Sequence, residues 1–164
     1  MNSISANELS KTPFEMIGKD WMLLTAGECD KYNTMTASWG GLGVLWNKNV
    51  VFAFVRPQRF TYEFMKENDY FSCSFFSEKY RDALSFCGKY SGRDKDKAKE
   101  CNLTPDFSES APYFEEADTV IICKKLYVQQ MNEQSFVDKS LLSNYALDDY
   151  HHVFVGEIVK ILKK

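Results

Sequence analysis

Two stretches of the chain hold the residue types that could do chemistry. The first is Asn33, Thr34, Met35, Thr36, Ala37, Ser38 and Trp39, followed by Gly40 and Gly41. It offers a side-chain amide, three hydroxyls, an indole and two adjacent glycines. The second, Arg56-Pro57-Gln58-Arg59-Phe60-Thr61-Tyr62, offers two guanidiniums and a hydroxyl. Arginine grips phosphate oxygens with two parallel N–H bonds, and a hydroxyl with free backbone amides can complete such a cradle. The apolar run 50–55 between the stretches reads as a buried strand that would bring the second to the end of the first.

Together the two stretches suit a ligand that is flat and aromatic at one end and anionic at the other. Flavin mononucleotide (FMN) meets that description. Each stretch alone has a plainer reading. Thr34, Thr36 and Ser38 alternate with Met35, Ala37 and Trp39, as in any amphipathic edge strand. Asn33 also suits a turn. Arg56 and Arg59 also suit solvated charges at a strand end. A third stretch, Ser91-Gly92-Arg93-Asp94-Lys95-Asp96-Lys97, joins a flexible turn to alternating charges and equally suits a solvated loop. The only histidines, His151 and His152, are consecutive; in a strand they face opposite ways and cannot share a metal ion. One of them could face a cleft as a hydrogen-bonding or proton-relaying group.

Composition narrows the class. A chain of 164 residues suits one domain, taken here as 1–164. The net charge of −3, with basic residues scattered, argues against a nucleic-acid partner. The longest apolar run has six residues, far below the roughly 20 of a membrane span. Residues 1–12 are polar, without the apolar core of a secretion signal. Five widely spaced cysteines, an odd number without C-x-x-C, fit reduced thiols in a cytoplasm rather than disulfides or a metal site. There is no G-x-G-x-x-G, so any nicotinamide would bind transiently rather than in a dinucleotide fold.

Elements to position these residues follow from periodicity. Strands are expected at 21–25, 35–39, 44–46, 50–55, 70–76, 119–128 and 152–162, with the glycines at 40–43 breaking the second and pointing to close backbone approach or positive φ there. Asn47-Lys48-Asn49 should turn a hairpin. Thr61 should cap a helix at 62–66, and Ser77 one at 78–86 that Gly88 stops. Residues 94–100 read as a solvated helical turn, 103–116 as a loop, and 138–144 as a weak helix. The order, without a βαβ rhythm, predicts a mainly β fold with helical trim, an antiparallel barrel.

The ordered motifs resemble the flavin reductase-like family, in its flavoredoxin-type branch. They are residues 33–40, then Arg56-Pro57-Gln58-Arg59-Phe60-Thr61-Tyr62-Glu63, then residues 87–97 with Leu103-Thr104-Pro105, and last His151 with Phe154-Val155-Gly156-Glu157-Ile158. The resemblance implies an FMN-binding split barrel, a Greek-key antiparallel β-barrel that works as a homodimer. It implies that residues 34–39 line the flavin ring and ribityl chain, and that Arg56, Arg59 and Thr61 meet the phosphate. Ser91, Gly92 and Lys97 would close over the phosphate or ribityl end, and His151 would stand near the reacting edge. NADH or NADPH would be the transient electron donor, and a redox partner protein is a possible acceptor. The other functional expectation is an FMN-binding electron carrier that oxidises no nicotinamide itself.

Overall fold

A computed structural model describes residues 1–29 and 31–164. Ten strands and three α-helices follow in chain order: β1 Asn2–Ile4, β2 Met22–Glu28, β3 Lys31–Ala37, β4 Gly40–Leu45, β5 Lys48–Val55, α1 Phe60–Glu67, β6 Tyr70–Phe75, α2 Arg81–Lys89, α3 Lys97–Glu100, β7 Pro105–Asp106, β8 Tyr113–Phe114, β9 Thr119–Gln130 and β10 His152–Lys163. A π-helical turn, Phe14–Asp20, precedes β2.

Seven strands run in the order β3-β2-β6-β9-β10-β5-β4, all pairs antiparallel, and β1 adds to the far end of β10. The first and last strands of this order, β3 and β4, are consecutive in the chain. Ala37 and Gly40 are three residues apart, so their Cα atoms lie within about 11 Å. The sheet must therefore curl until its two edges face each other, with Ser38 and Trp39 spanning the gap. No ladder closes that gap, and the barrel is split there.

Two apolar cores lie on opposite faces of the curled sheet. Inside the curl, Leu24, Met35, Ala37, Val51, Ala53, Phe71, Cys73 and Phe154 pack with Phe64 and Met65 of α1. On the outer face, Leu23, Val120, Ile122 and Leu162 pack with Leu84 and Cys87 of α2, and with Tyr113 and Phe114. Strands β2, β3 and β6 are thus covered on both sides. This is why Ser72 and Ser74 are as buried as their apolar neighbours. The alternation of β6 holds: Phe71, Cys73 and Phe75 face the inner core.

Several local expectations are corrected. The glycines at 40–43 do not break the sheet; they begin β4. A Cβ on Gly40 would stand 2.8 Å from the Phe52 carbonyl oxygen, so here glycine permits close approach of two strands. The hairpin turns at Trp46-Asn47, both at positive φ, as a two-residue connection of the type I′ kind requires. Helix α1 starts at Phe60 with Arg59 at its cap, because the hydroxyl of Thr61 is engaged elsewhere. Ser77 instead precedes a 3-10 turn, Glu78–Tyr80, and α2 passes through Gly88 to Lys89. Asp96 caps α3, whose Lys97 and Ala98 are buried rather than solvated. The polar N-terminus holds a short strand too brief to show a period. The segment 103–116 contains the β7–β8 ladder and the buried Phe114.

No helix among the described residues is long and apolar enough to cross a membrane. Phe71, fully enclosed between β2 and β9, should anchor the inner core. Phe71→Ala should lower unfolding stability by about 3–5 kcal/mol, read from the urea midpoint with an unchanged slope.

Candidate functional site

The split between β3 and β4 opens into a groove of about 210 Å³. Its floor is the end of β3, Met35, Thr36 and Ala37, continuing into Ser38 and Trp39. Phe54, Arg56, Arg59 and His151 form the other wall. Arg59 also belongs to an adjoining cavity of about 100 Å³, lined by Lys89, Tyr90, Ser91, Gly92 and Lys97. The structure therefore brings Met35, Thr36, Ala37, Ser38, Trp39, Arg56, Arg59 and His151 into one groove. Ser91, Gly92 and Lys97 line the adjoining cavity rather than the groove itself.

The side chains of β3 divide by strand parity. Met35 and Ala37 enter the inner core. Thr34 Oγ1 lies 2.9 Å from Thr25 Oγ1, and Thr36 Oγ1 donates to the Leu84 carbonyl at 2.5 Å. Those hydroxyls bind the strand to its neighbours, so what β3 presents to a ligand is largely backbone. Asn33 donates through Nδ2 to Thr61 Oγ1 at 2.8 Å, and Thr61 is fully buried. The pair is a wall against which Gly92 packs, and Asn33 itself lines a larger cavity on that side. A Cβ on Gly92 would fall 1.8 Å from Asn33 Oδ1, so only glycine lets the 91–92 loop close against that wall.

The electrostatics set Arg59 and Lys97 apart. Arg59 Nη1 donates to the Gly88 carbonyl at 2.9 Å, while its Nη2 is buried with no hydrogen-bond partner among the described residues. Lys97 is 5% exposed, and its ammonium donates to the carbonyls of Thr34 (2.8 Å) and Cys87 (2.9 Å). Neither cation has a carboxylate partner among the described residues. Burial lowers the pKa of Lys97 to about 8, against a raising influence of the Cys87 thiol, with Arg59 adding to the fall. Burial, then Arg56, also lowers that of Arg59. Two desolvated cations side by side without an anion are costly, and an anion bound between them would relieve both.

Arg56 is differently placed. It pairs with Asp149 at 2.5 Å, donates to the Asn144 carbonyl at 2.8 Å, and lies over the Tyr145 ring at 5.2 Å. Its hydrogen bond holds the Asp149 carboxyl below the usual carboxylate range. His151 is buried beside Trp39, ring centroids 5.2 Å apart, with Nδ1 2.9 Å from the Tyr145 hydroxyl. His152 points to a different cluster and meets the Tyr62 hydroxyl at 3.0 Å. Phe54, Tyr145 and Asp149 complete the site without having been singled out in the sequence. The only signal for Tyr145 was the recurrence of aromatics, Phe136, Tyr145 and Tyr150, within one segment between two long strands.

A larger cavity, about 510 Å³, lies beyond Gly92 and is lined by Asn33, Thr34 and Lys97 among others. Its other cations are already matched: Arg93 to Glu63, Lys31 to Glu67, and Lys95 to Glu100. Size alone would favour it; Arg59, unmatched and shared by the groove and its small neighbour but absent from the larger cavity, favours the groove. The five cysteines are free thiols, and no cluster of metal-binding side chains occurs among the described residues.

The lowered pKa of Lys97 has a sign that can be checked. Between pH 8 and the ordinary 10.5, the unfolded chain holds a proton that the folded chain has released, so stability contributed at this site rises with pH across that window. Lys97→Met should flatten the rise, measured by urea unfolding of the ligand-free protein from pH 7.5 to 10.5.

Comparison with known proteins agrees with this geometry. No curated protein matches the chain. Among solved structures, it is similar to the flavoredoxin of Desulfovibrio vulgaris (Miyazaki F), at 24% identity and TM-score 0.68, covering 100% of this chain and 76% of that one. It is similar to the flavoredoxin of Methanosarcina acetivorans at 21% identity and TM-score 0.71, over 100% and 76% of the two chains. The FMN-binding protein of Thermus thermophilus, solved with bound p-hydroxybenzaldehyde, gives 21% identity and TM-score 0.70, over 100% and 82%. These likenesses show a shared FMN-binding split-barrel fold. The family model described as the flavin reductase like domain matches residues 16–163, and the chain belongs to that family.

Proposed function

We propose that the groove binds FMN and that the protein is an oxidoreductase passing electrons from NADH, NADPH or a protein donor through the flavin to an acceptor. The observation that carries this reading is the half-buried Arg59, whose Nη2 is enclosed and has no partner among the described residues, beside a buried Lys97 that has no carboxylate. A phosphate monoester brings nearly two negative charges and several acceptor oxygens, which fits that donor set. The flavoredoxins and the FMN-binding protein share this fold, which supports the choice of ligand.

The roles follow from the geometry. Arg59 and Lys97 hold the phosphate, with Ser91 and Gly92 closing over it. Thr61 supports this end through Asn33 rather than by contact, and Thr34 does so through its carbonyl. Backbone groups of Met35, Thr36, Ala37 and Ser38 edge the ring, and Trp39, half exposed at the mouth, covers it. Arg56 fastens the wall that carries His151, which stands nearest the reacting edge. Bound FMN would supply the redox chemistry; the chain supplies orientation, charge and exclusion of water. On the other half of the sheet, the exposed rings of Trp46 and Tyr127 meet at 6.2 Å, and exposed Val44 lies two residues from Trp46, an apolar surface suited to a second copy of the chain. A monomer in sedimentation velocity at micromolar concentration would remove the homodimer from this proposal. Five unpaired thiols suit the cytoplasm, and a protein found outside a reducing compartment would count against that placement.

A second reading is an FMN-binding electron carrier without nicotinamide oxidation. It is favoured by Arg56, the cation at the groove mouth, whose charge is already engaged by Asp149 and which is therefore a poor clamp for the phosphates of a dinucleotide.

The deciding experiment is the visible spectrum of freshly purified protein, repeated without oxygen after NADH and then NADPH. Bound flavin that bleaches supports the reductase; bound flavin that stays yellow supports the carrier. A protein that neither carries nor takes up FMN ends both. Arg59→Ala should weaken FMN by roughly 1.5–3 kcal/mol, the value of a charge-assisted hydrogen bond, and leave riboflavin nearly unchanged. Equal loss for both ligands, measured by fluorescence titration, would place Arg59 away from the phosphate.

A further inference from the structure

The segment between β9 and β10 builds a support behind His151. Tyr145 ends a 3-10 helix, Lys139–Tyr145, and is itself buried. Its ring stacks on Tyr150 at 4.9 Å and meets Phe136 at 5.6 Å. Arg56 covers the same ring, and Asp149 holds Arg56 in place. Gln58 donates to the same Asp149 oxygen. One phenol is thus fixed from three sides, with its oxygen aimed at His151 Nδ1.

His151 has two ring nitrogens with different surroundings. Nδ1 meets Tyr145 at 2.9 Å. Nε2 has no protein partner among the described residues, is not among the enclosed unpartnered atoms, and belongs to a ring that lines the groove. The charged groups that face this ring are Arg56 and Asp149, and Tyr145 is the titratable one in contact. Burial, then Arg56, lowers its pKa to about 4, with Asp149 opposing, so the ring is neutral at pH 7 and carries one hydrogen. A phenol is a much stronger acid than a neutral imidazole N–H. The hydroxyl's other acceptor, Met131 Sδ at 3.9 Å, is distant and a much weaker base than imidazole nitrogen; the shared hydrogen therefore belongs to the phenol, which donates to Nδ1, and the imidazole hydrogen is left on Nε2.

We propose that Tyr145 is a positioning residue that holds His151 in the Nε2–H tautomer, so that a neutral hydrogen-bond donor faces the groove. The atom it recognises is an acceptor, such as a carbonyl oxygen on a heteroaromatic ring or of a carboxamide. His151 then selects and orients by donating a hydrogen bond, and does not deliver an imidazolium proton. Only the identity of the acceptor rests on the flavin reading; the tautomer is a property of the ligand-free chain.

The chain has two histidines, which makes the test direct. Ligand-free protein labelled with ¹⁵N-histidine is followed by long-range ¹H–¹⁵N spectra, with His152→Asn assigning the two rings. At pH 7 His151 should show the neutral Nε2–H pattern and should keep it on acidification until near pH 4. Tyr145→Phe should convert that pattern to a mixture of tautomers, with His152 signals unchanged. A wild-type Nδ1–H pattern, or a Tyr145→Phe pattern identical to wild type, overturns the proposal. The wild-type spectrum decides even where the variant does not fold. FMN uptake is scored separately by absorbance, so a protein that ignores flavin would sink the functional reading and leave the tautomer result standing.

Discussion

The site depends on one electrostatic constraint: two cations are buried a short distance apart, and the chain gives them backbone carbonyls instead of carboxylates. Arg59 is held by the carbonyl of Gly88, Lys97 by those of Thr34 and Cys87. A carbonyl fixes a donor without cancelling its charge. A carboxylate in the same place would stabilise the empty site and compete with any anionic ligand. Leaving the charge uncancelled costs stability, in keeping with the lowered pKa of Lys97, and leaves it available to the anion proposed to bind there.

The fold is what makes such an arrangement tolerable. The three carbonyls come from two rigid elements, β3 and the end of α2, which are packed against each other by the Thr36–Leu84 hydrogen bond and the outer core. Lys97 reaches them from α3, and Arg59 from the cap of α1. Four elements distant in sequence converge because the sheet curls, covering β3 on both faces. The curl in turn follows from the short Ser38-Trp39 connection between the two ends of the strand order. The same step that splits the barrel thus places the polar backbone of β3 at the mouth of a groove.

Much of this was legible in the sequence, and the failures have physical causes. Alternation identified the inward face of β6 and the opposite directions of His151 and His152, because strand parity is local. The motif order pointed to the family and the split barrel. The glycines at 40–43 were read correctly as a place of close backbone approach, but not as the start of a strand, because a glycine that admits a neighbouring strand looks, in sequence, like one that ends its own. Lys97 was read as part of a solvated turn from its own residues. Its ammonium is held by the Cys87 carbonyl, 10 positions away, and by that of Thr34, 63 positions away, and the second contact lies outside any local window of the sequence. Tyr145 was missed for a similar reason: its value lies in the partner it meets, not in its own spacing.

Arg56 and Arg59 show how far position can separate identical side chains. Three residues apart, both stood as candidate phosphate ligands. Arg56 lies at the exit of β5, where the returning 131–150 segment brings Asp149 and the Asn144 carbonyl to it, so its charge is matched and its role is to fasten the aromatic wall behind His151. Arg59 has turned past Pro57 to the cap of α1, where its one hydrogen-bond acceptor among the described residues is a backbone carbonyl. Its second terminal nitrogen therefore has no acceptor to meet. Moving a carboxylate from the first arginine to the second would satisfy the local electrostatics equally well and would abolish an anion site. That the pairing falls on Arg56 is therefore what divides the groove into a rigid, charge-matched end at His151 and a charge-hungry end at Lys97.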